Sequence, residues 1–138
     1  PVSHFNPAYK TSIILLAAIT NDINNAASGS IVGVANDRYT NRLLPYVSAV
    51  KTAGYHYILV GKCNPRVWSG SAQDQTEKAA EAATWNTLID ANAGSVGFIP
   101  WNTDGTITVA DLPDNLHPGE AGSFKMSNEG IRVLGPLI

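Results

Sequence analysis

Continuous apolar runs alternate along this chain with segments whose apolar residues recur at helical spacing. Ser12–Ile19 is apolar throughout between polar flanks, which is typical of a strand buried on both faces of a parallel sheet. Tyr55–Gly61 has the same character, and Val96–Ile99 is a shorter third strand. In Thr40–Ala53 and Asp74–Asn92 the apolar positions return every three or four residues. That period predicts two helices.

The segments between these elements are predicted loops, and a last helix begins at Pro118. The loops Asn21–Tyr39, Lys62–Ala72 and Pro100–Pro118 are rich in Asn, Gly, Ser or Pro. The resulting order predicts an α/β fold, a three-layer α/β/α sandwich with a parallel sheet. Ligand sites in such sheets lie beyond the carboxyl ends of the strands, so candidate chemistry is sought in the loops that follow them.

Length and charge narrow the class of protein. The 138 residues correspond to a single domain, 1–138, and the net charge of −2 argues against a nucleic-acid partner. Charged residues are only 14% of the chain, well below the usual quarter or so, which favours a secreted, envelope-associated or virion protein over a cytoplasmic one. The longest apolar run, Ile13–Ile19, is too short to span a membrane, so no transmembrane segment is expected.

Cysteine and ligand spacing bear on cofactors. Cys63 is the sole cysteine, which excludes an internal disulfide and a Cys-based zinc cluster. It is expected to be a small, semi-buried residue rather than a reactive thiol. No three His, Asp or Glu residues have metal-ligand spacing, and no Gly-rich phosphate loop follows a strand. We therefore expect neither a metal nor a cofactor.

Two polar clusters occupy the predicted ligand-binding edge of the sheet. Asn21 follows the first strand, and Asp114 precedes His117 by three residues just before the last helix. On a turn, that spacing places a carboxylate against one imidazole nitrogen and leaves the other as a general base. The Asn21 amide is a donor for an oxyanion. Each cluster taken alone is also an ordinary turn sequence.

Aromatic residues in the same loops suggest substrate contacts. Trp68 and Trp101 are candidates for stacking on sugar rings, although half-buried loop anchors are the commoner case. Arg66, two residues before Trp68, is either a contact for an anionic substrate or a solvated charge.

Two blocks resemble the SGNH (GDSL-type) hydrolases. The family's Gly-x-Asn-Asp block is similar to Ile19-Thr-Asn21-Asp22, and its Asp-x-x-His-Pro block to Asp114-Asn-Leu-His117-Pro118, with small residues and a Met following in both. The helix-then-strand stretch Tyr46–Val60 also resembles the family. The resemblance implies a flavodoxin-like sheet and ester hydrolysis by a Ser-His-Asp triad. It makes Asp114 and His117 two triad members and Asn21 an oxyanion-hole donor.

The chain departs from the family in two respects. Ile19 stands where the family has Gly, and the Gly-Asp-Ser block that supplies the nucleophile is absent before the first strand. The serines of the loops, Ser28, Ser30, Ser69 and Ser71, do not stand at the sharp strand-to-helix turn that exposes a nucleophile. We therefore expect the C-terminal portion of an SGNH-like domain, with a missing N-terminal segment or a partner chain completing the sheet beside the first strand. The rival is a pseudo-enzyme that covers this edge by self-association.

The expected function is hydrolysis of a small ester, with an acetylated carbohydrate favoured over a lipid as substrate. The alternative is a non-catalytic binding or structural module, for example of a viral tail or a cell-surface protein, that reuses the fold.

Overall fold

A computed structural model of the chain describes residues 11–16, 19–93, 95, 97–101, 107–114 and 117–137. Three strands form a parallel sheet in the order β1-β2-β3: β1 is Ile13–Leu16, β2 is Tyr57–Gly61 and β3 is Phe98–Trp101. Because all three strands are parallel, their carboxyl ends meet at one edge of the sheet. This confirms the predicted α/β class.

Helices account for most of the remaining described chain. The α-helices are α1 Thr20–Asn24, α2 Val34–Arg38, α3 Leu44–Thr52, α4 Ala72–Ala91 and α5 Glu120–Leu134. A π-helical turn, Tyr39–Leu43, joins α2 to α3, and short 3-10 turns cover Val109–Asp111 and Gly135–Leu137.

The helical structure begins earlier than the sequence predicted. The segment 21–39, expected as a loop, contains most of α1 and all of α2, and the helix expected from Thr40 starts at Val34. A distant carboxylate explains α2: Glu81 of α4 accepts the N–H groups of Gly33 at 2.9 Å and Ala35 at 2.7 Å. These bonds satisfy donors that a helix N-terminus otherwise leaves unpaired.

A proline and a capping box mark the starts of α3 and α4. Pro45 lies in the first turn of α3, where its missing N–H is tolerated. At the start of α4, the Ser71 hydroxyl accepts the Asp74 N–H at 3.2 Å, and the Asp74 carboxylate accepts the Ser71 N–H at 3.1 Å. This reciprocal capping box fixes where α4 begins.

Three element boundaries differ from the prediction. The expected strand Ser12–Ile19 is observed as β1 over Ile13–Leu16, and residues 17 and 18 lie outside the described residues. Ile19 is not in a strand, because its φ of 76° is left-handed. β3 runs to Trp101, which is therefore a strand residue and not a loop residue. The last helix starts at Glu120 rather than Pro118, with Gly119 as its N-cap.

The two faces of the sheet pack against different helices. On one face, Ile58 and Val60 of β2 join a buried cluster with Val50 of α3 and Trp85 and Ile89 of α4. The Trp85 Nε1 also donates to the Gly61 carbonyl at 3.1 Å. On the other face, the strands and α5 line an apolar groove whose walls include Leu15, Leu59, Trp101 and Met126.

The outer edge of β1 borders exposed apolar surface. Among the described residues, only those of β2 pair with β1, and Leu15 is 52% exposed. A second groove, lined by Leu16, Leu43 and Tyr46, meets this edge from the opposite face of the sheet. None of the described helices is both long and apolar enough to cross a membrane.

Candidate active site

Asp114 and His117 form a hydrogen-bonded pair at the carboxyl edge of the sheet. The Asp114 Oδ2 lies 2.7 Å from His117 Nδ1, and the Asp114 Oδ1 accepts the His117 backbone N–H at 2.6 Å. The carboxylate thus fixes both the ring and the backbone of the histidine. Because Nδ1 is occupied, Nε2 is the ring nitrogen available for proton transfer, and the side chain is 73% exposed.

The turn that carries this pair is anchored to α5 through Asp111. The Asp111 carbonyl accepts the Gly119 N–H at 2.9 Å, and its carboxylate accepts the Thr108 N–H and the Lys125 ammonium, both at 2.8 Å. A Cβ at Gly122 would lie 2.8 Å from the Asp111 carbonyl oxygen. Glycine at 122 therefore allows the first turn of α5 to pack directly on the segment that precedes Asp114.

Asn21 lies in the first turn of α1, directly beyond β1. Its side chain is exposed, and none of the hydrogen bonds between described residues engages its amide or joins it to His117. The preceding residue, Thr20, places its hydroxyl 3.7 Å from the Cys63 sulfur, just after β2. The start of α1 therefore touches the neighbouring strand end and leaves the Asn21 amide free to act as a donor.

Ile19 adopts a backbone conformation that is rare for its residue type. Its φ of 76° lies in the left-handed region, and the side chain is buried. A β-branched residue is strained there, whereas glycine is not. This is the position at which the Gly-x-Asn-Asp block has its glycine, so the backbone turns here in the manner that glycine favours.

The loop after β2 contributes a buried thiol and a cation. Cys63 is buried, its backbone N–H donates to Asn86 Oδ1 at 2.8 Å, and burial raises the pKa of its thiol. A buried, protonated thiol is a poor nucleophile, so Cys63 is the small core residue expected from the sequence. Burial also lowers the pKa of Arg66, while the negative charge of Asp114 acts in the opposite direction. Arg66 therefore lies within electrostatic reach of the Asp114–His117 pair.

The two tryptophans differ from the exposed loop aromatics that the sequence suggested. Trp68 is only 6% exposed, and the Arg66 guanidinium carbon lies 4.7 Å from the centre of its ring. Trp68 is thus the buried loop anchor that the sequence left as the alternative. Trp101 ends β3 and faces the groove beside α5. A substrate contact by either ring stays a prediction.

The serines considered from the sequence are mostly engaged elsewhere. The Ser28 hydroxyl donates to Asp74 at 2.9 Å, the Ser69 hydroxyl donates to Asn24 at 3.0 Å, and Ser71 caps α4. In the described part of the chain, no serine hydroxyl is hydrogen-bonded to His117. The geometry therefore supplies an acid–base pair and an amide donor without assigning the attacking hydroxyl.

The sequence predicted the Asp114–His117 turn. It did not predict that the Nε and Nη1 atoms of Arg66 are buried. Among the residues that the structure describes, no group of three His, Cys, Asp or Glu side chains is placed to hold a metal ion.

Comparisons of the chain with protein-family models, with curated proteins and with solved structures find no match.

Proposed function

We propose that this chain is part of an SGNH-type ester hydrolase in which Asp114 and His117 are two members of a Ser-His-Asp triad. The observation that supports this most directly is the 2.7 Å contact between Asp114 Oδ2 and His117 Nδ1. A carboxylate on Nδ1 fixes the tautomer whose Nε2 accepts a proton from a serine hydroxyl. The proposal includes the finer fold assignment, the three-layer flavodoxin-like architecture of the SGNH hydrolases.

The proposed reaction proceeds through an acyl-enzyme. The serine oxygen attacks the ester carbonyl carbon while His117 Nε2 takes the hydroxyl proton. The tetrahedral intermediate then expels the alcohol, which receives that proton from His117. A water molecule, deprotonated by His117, attacks the acyl carbon, and the returning proton restores the serine. Asp114 stabilises the imidazolium that forms in each half-reaction.

Asn21 is proposed to stabilise the oxyanion of both tetrahedral intermediates. Its support is the exposed and unengaged amide directly after β1, preceded by the left-handed turn at Ile19. A side-chain donor to an oxyanion contributes about 2.7–4 kcal/mol in comparable sites. Asn21 follows β1 along the chain, and the charge of Asp114 acts on Arg66, which follows β2. Because carboxyl ends of parallel strands meet at one edge, the proposal assigns Asn21 and His117 to the same side of the sheet.

The serine, in this proposal, is carried by a segment that pairs with the outer edge of β1, either a missing N-terminal segment of the same polypeptide or a partner chain. Among the described residues this edge has no partner strand; an apolar groove borders it on one face, and a groove of mixed apolar and charged residues borders it on the other. A strand with apolar residues on both faces would fill both grooves. Parallel pairing would also bring its carboxyl end to the edge where His117 lies.

The substrate in this proposal is a small ester, with an acetylated carbohydrate favoured. The residues proposed for the site, Asn21, Asp114 and His117, are polar and all exposed. A polar and accessible site suits a hydrated carbohydrate better than an acyl chain, which requires an apolar channel.

Ester hydrolysis by the polypeptide that contains this chain tests the proposal. Turnover is measured on an acetyl ester, a longer acyl ester and an acetylated sugar, for the unmodified protein and for His117→Ala. The variant is expected to lose at least about 10³-fold in kcat. His56→Ala is the matched control, because His56 lies at the opposite end of the sheet and its Nδ1 accepts the Ser12 N–H at 3.0 Å.

The two contrary outcomes have different meanings. Equal turnover by the unmodified protein and His117→Ala would exclude His117 as the base. No turnover of any of the three esters by the unmodified protein would instead favour a binding or structural module.

A further inference from the structure

Two nitrogen atoms of the Arg66 side chain, in the loop after β2, lack a hydrogen-bond acceptor among the described residues. Its Nε and Nη1 atoms are buried, and neither has a hydrogen-bond partner among the described residues. The guanidinium carbon lies 4.7 Å from the Trp68 ring centre, a cation–π arrangement that holds the charge in place without satisfying its donors. Unpaired donors on a buried cation are costly, so this arrangement requires a reason.

The nearby carboxylate does not supply that acceptor. The charge of Asp114 acts on Arg66, but neither Nε nor Nη1 of Arg66 donates a hydrogen bond to it. Arg66 is therefore a cation within electrostatic reach of the Asp114–His117 pair, and its Nε and Nη1 lack acceptors among the described residues. The residue as a whole is partly exposed, whereas Nε and Nη1 are covered, so a ligand that engages them must displace the atoms that cover them.

We infer that Arg66 binds the carboxylate of an acidic ester substrate, a carbohydrate of the uronic-acid type, and orients its ester toward His117. A planar guanidinium matches a carboxylate through two parallel hydrogen bonds. The Trp68 ring holds the guanidinium beside it, which restricts the positions that a bound carboxylate can take. This inference rests on the proposed esterase function and narrows its substrate to an acidic sugar.

Binding of two matched sugars tests the inference without requiring turnover. Methyl glucuronoside and methyl glucoside differ only in a carboxylate that replaces a hydroxymethyl group. Titration calorimetry with the polypeptide that contains this chain is expected to show uronoside binding, at least tenfold weaker for the glucoside. Arg66→Gln is expected to weaken uronoside binding at least tenfold, and Arg66→Lys to restore it only in part.

Control variants separate this inference from the proposed function. Arg42→Gln removes an exposed arginine that lines a different groove and should leave uronoside binding unchanged. His117→Ala should abolish turnover yet retain uronoside binding, so the two proposals fail independently.

Three results would overturn the assignment of Arg66. One is equal binding of the two sugars, and another is unchanged uronoside binding by a folded Arg66→Gln variant. The third is absence of uronoside binding by the unmodified protein.

Discussion

Ile19 and Ile23 are joined by the first hydrogen bond of α1, from the Ile23 N–H to the Ile19 carbonyl at 3.0 Å. Both side chains are buried, but only Ile19 has a positive φ. A β-branched residue in the left-handed region stores strain of about 1–3 kcal/mol. Burial of the Ile19 side chain against the core offsets that strain and holds the turn that presents Asn21.

At Ile19 the glycine variant is expected to be more stable than the alanine variant, whereas at Ile23 the alanine variant is expected to be the more stable. Ile19→Gly relieves the strained φ that Ile19→Ala retains, so the glycine variant should have the higher free energy of unfolding, by about 1 kcal/mol. At Ile23, inside the helix, the alanine variant should be the more stable by a similar amount. Urea denaturation of the four variants measures both differences. The same order at both positions would contradict a left-handed Ile19.

Asp114→Asn is expected to abolish catalysis while leaving the fold intact. The amide oxygen still accepts the His117 backbone N–H, but the side chain no longer stabilises the imidazolium or enforces the tautomer with a proton on Nδ1. In a serine triad this loss lowers kcat about 10⁴-fold. Parallel measurements of kcat and melting temperature test it. Asp90→Asn is the control, because among the described residues the Asp90 carboxylate pairs with Lys62 and not with His117. Unchanged kcat in a folded Asp114→Asn variant would remove Asp114 from the triad.

Features set by local contacts were predictable from the sequence. The boundary of α4 follows from Ser71 and Asp74, which cap each other across three residues. The Asp114–His117 contact also spans only three residues, so residue spacing on a turn is enough to suggest it. β2 was predictable because a short, continuous apolar run between turn residues is typical of a buried strand.

Features set by distant contacts were not predictable. α2 lies in a segment rich in Asn, Gly and Ser, and its N-terminus is capped by Glu81, 48 residues beyond Gly33. Nothing local to 21–39 signals that cap. The same holds for Arg66, whose buried donors depend on how the loop after β2 packs. Single-residue propensities carry no information about such tertiary partners.

Removing the Glu81 carboxylate is expected to unfold α2 before the rest of the domain. Glu81→Ala leaves the Gly33 and Ala35 N–H groups without acceptors, which should lower the free energy of unfolding by about 2–4 kcal/mol. Glu81→Gln keeps one acceptor oxygen and should cost less. Urea denaturation and hydrogen exchange at the Ala35 amide measure the two effects.

The control for Glu81 is another glutamate of the same helix. Among the described residues, the side chain that donates to the Glu77 carboxylate is Gln73, one turn earlier. Glu77→Ala should therefore change the free energy of unfolding by less than about 0.5 kcal/mol. An equal loss in Glu77→Ala and Glu81→Ala would show that Glu81 does not cap α2.

Asp111 is expected to make the stability of the domain depend on acid pH. The Lys125 ammonium, followed by the Thr108 N–H, holds the pKa of Asp111 below its ordinary value of 3.8. A depressed carboxyl pKa means that the unfolded chain binds the proton first as the pH falls. The contribution of Asp111 is therefore fully present above about pH 5 and is lost as the pH drops through the folded pKa.

Asp111→Asn and Lys125→Met isolate this contribution. Urea denaturation from pH 7 to pH 2.5 should show Asp111→Asn destabilised at pH 7, with the difference from the unmodified protein shrinking below pH 4 or so. Lys125→Met should lose most of the same acid-dependent contribution to the free energy of unfolding, since the Lys125 ammonium is the main cause of the lowered pKa of Asp111. The double variant should add little to either single variant, because both substitutions remove one interaction. A destabilisation by Asp111→Asn that stays constant from pH 7 to pH 2.5 would contradict a role for the charge of Asp111. It would instead mean that neutral packing against Gly119 and Gly122 holds the Asp114–His117 turn on α5.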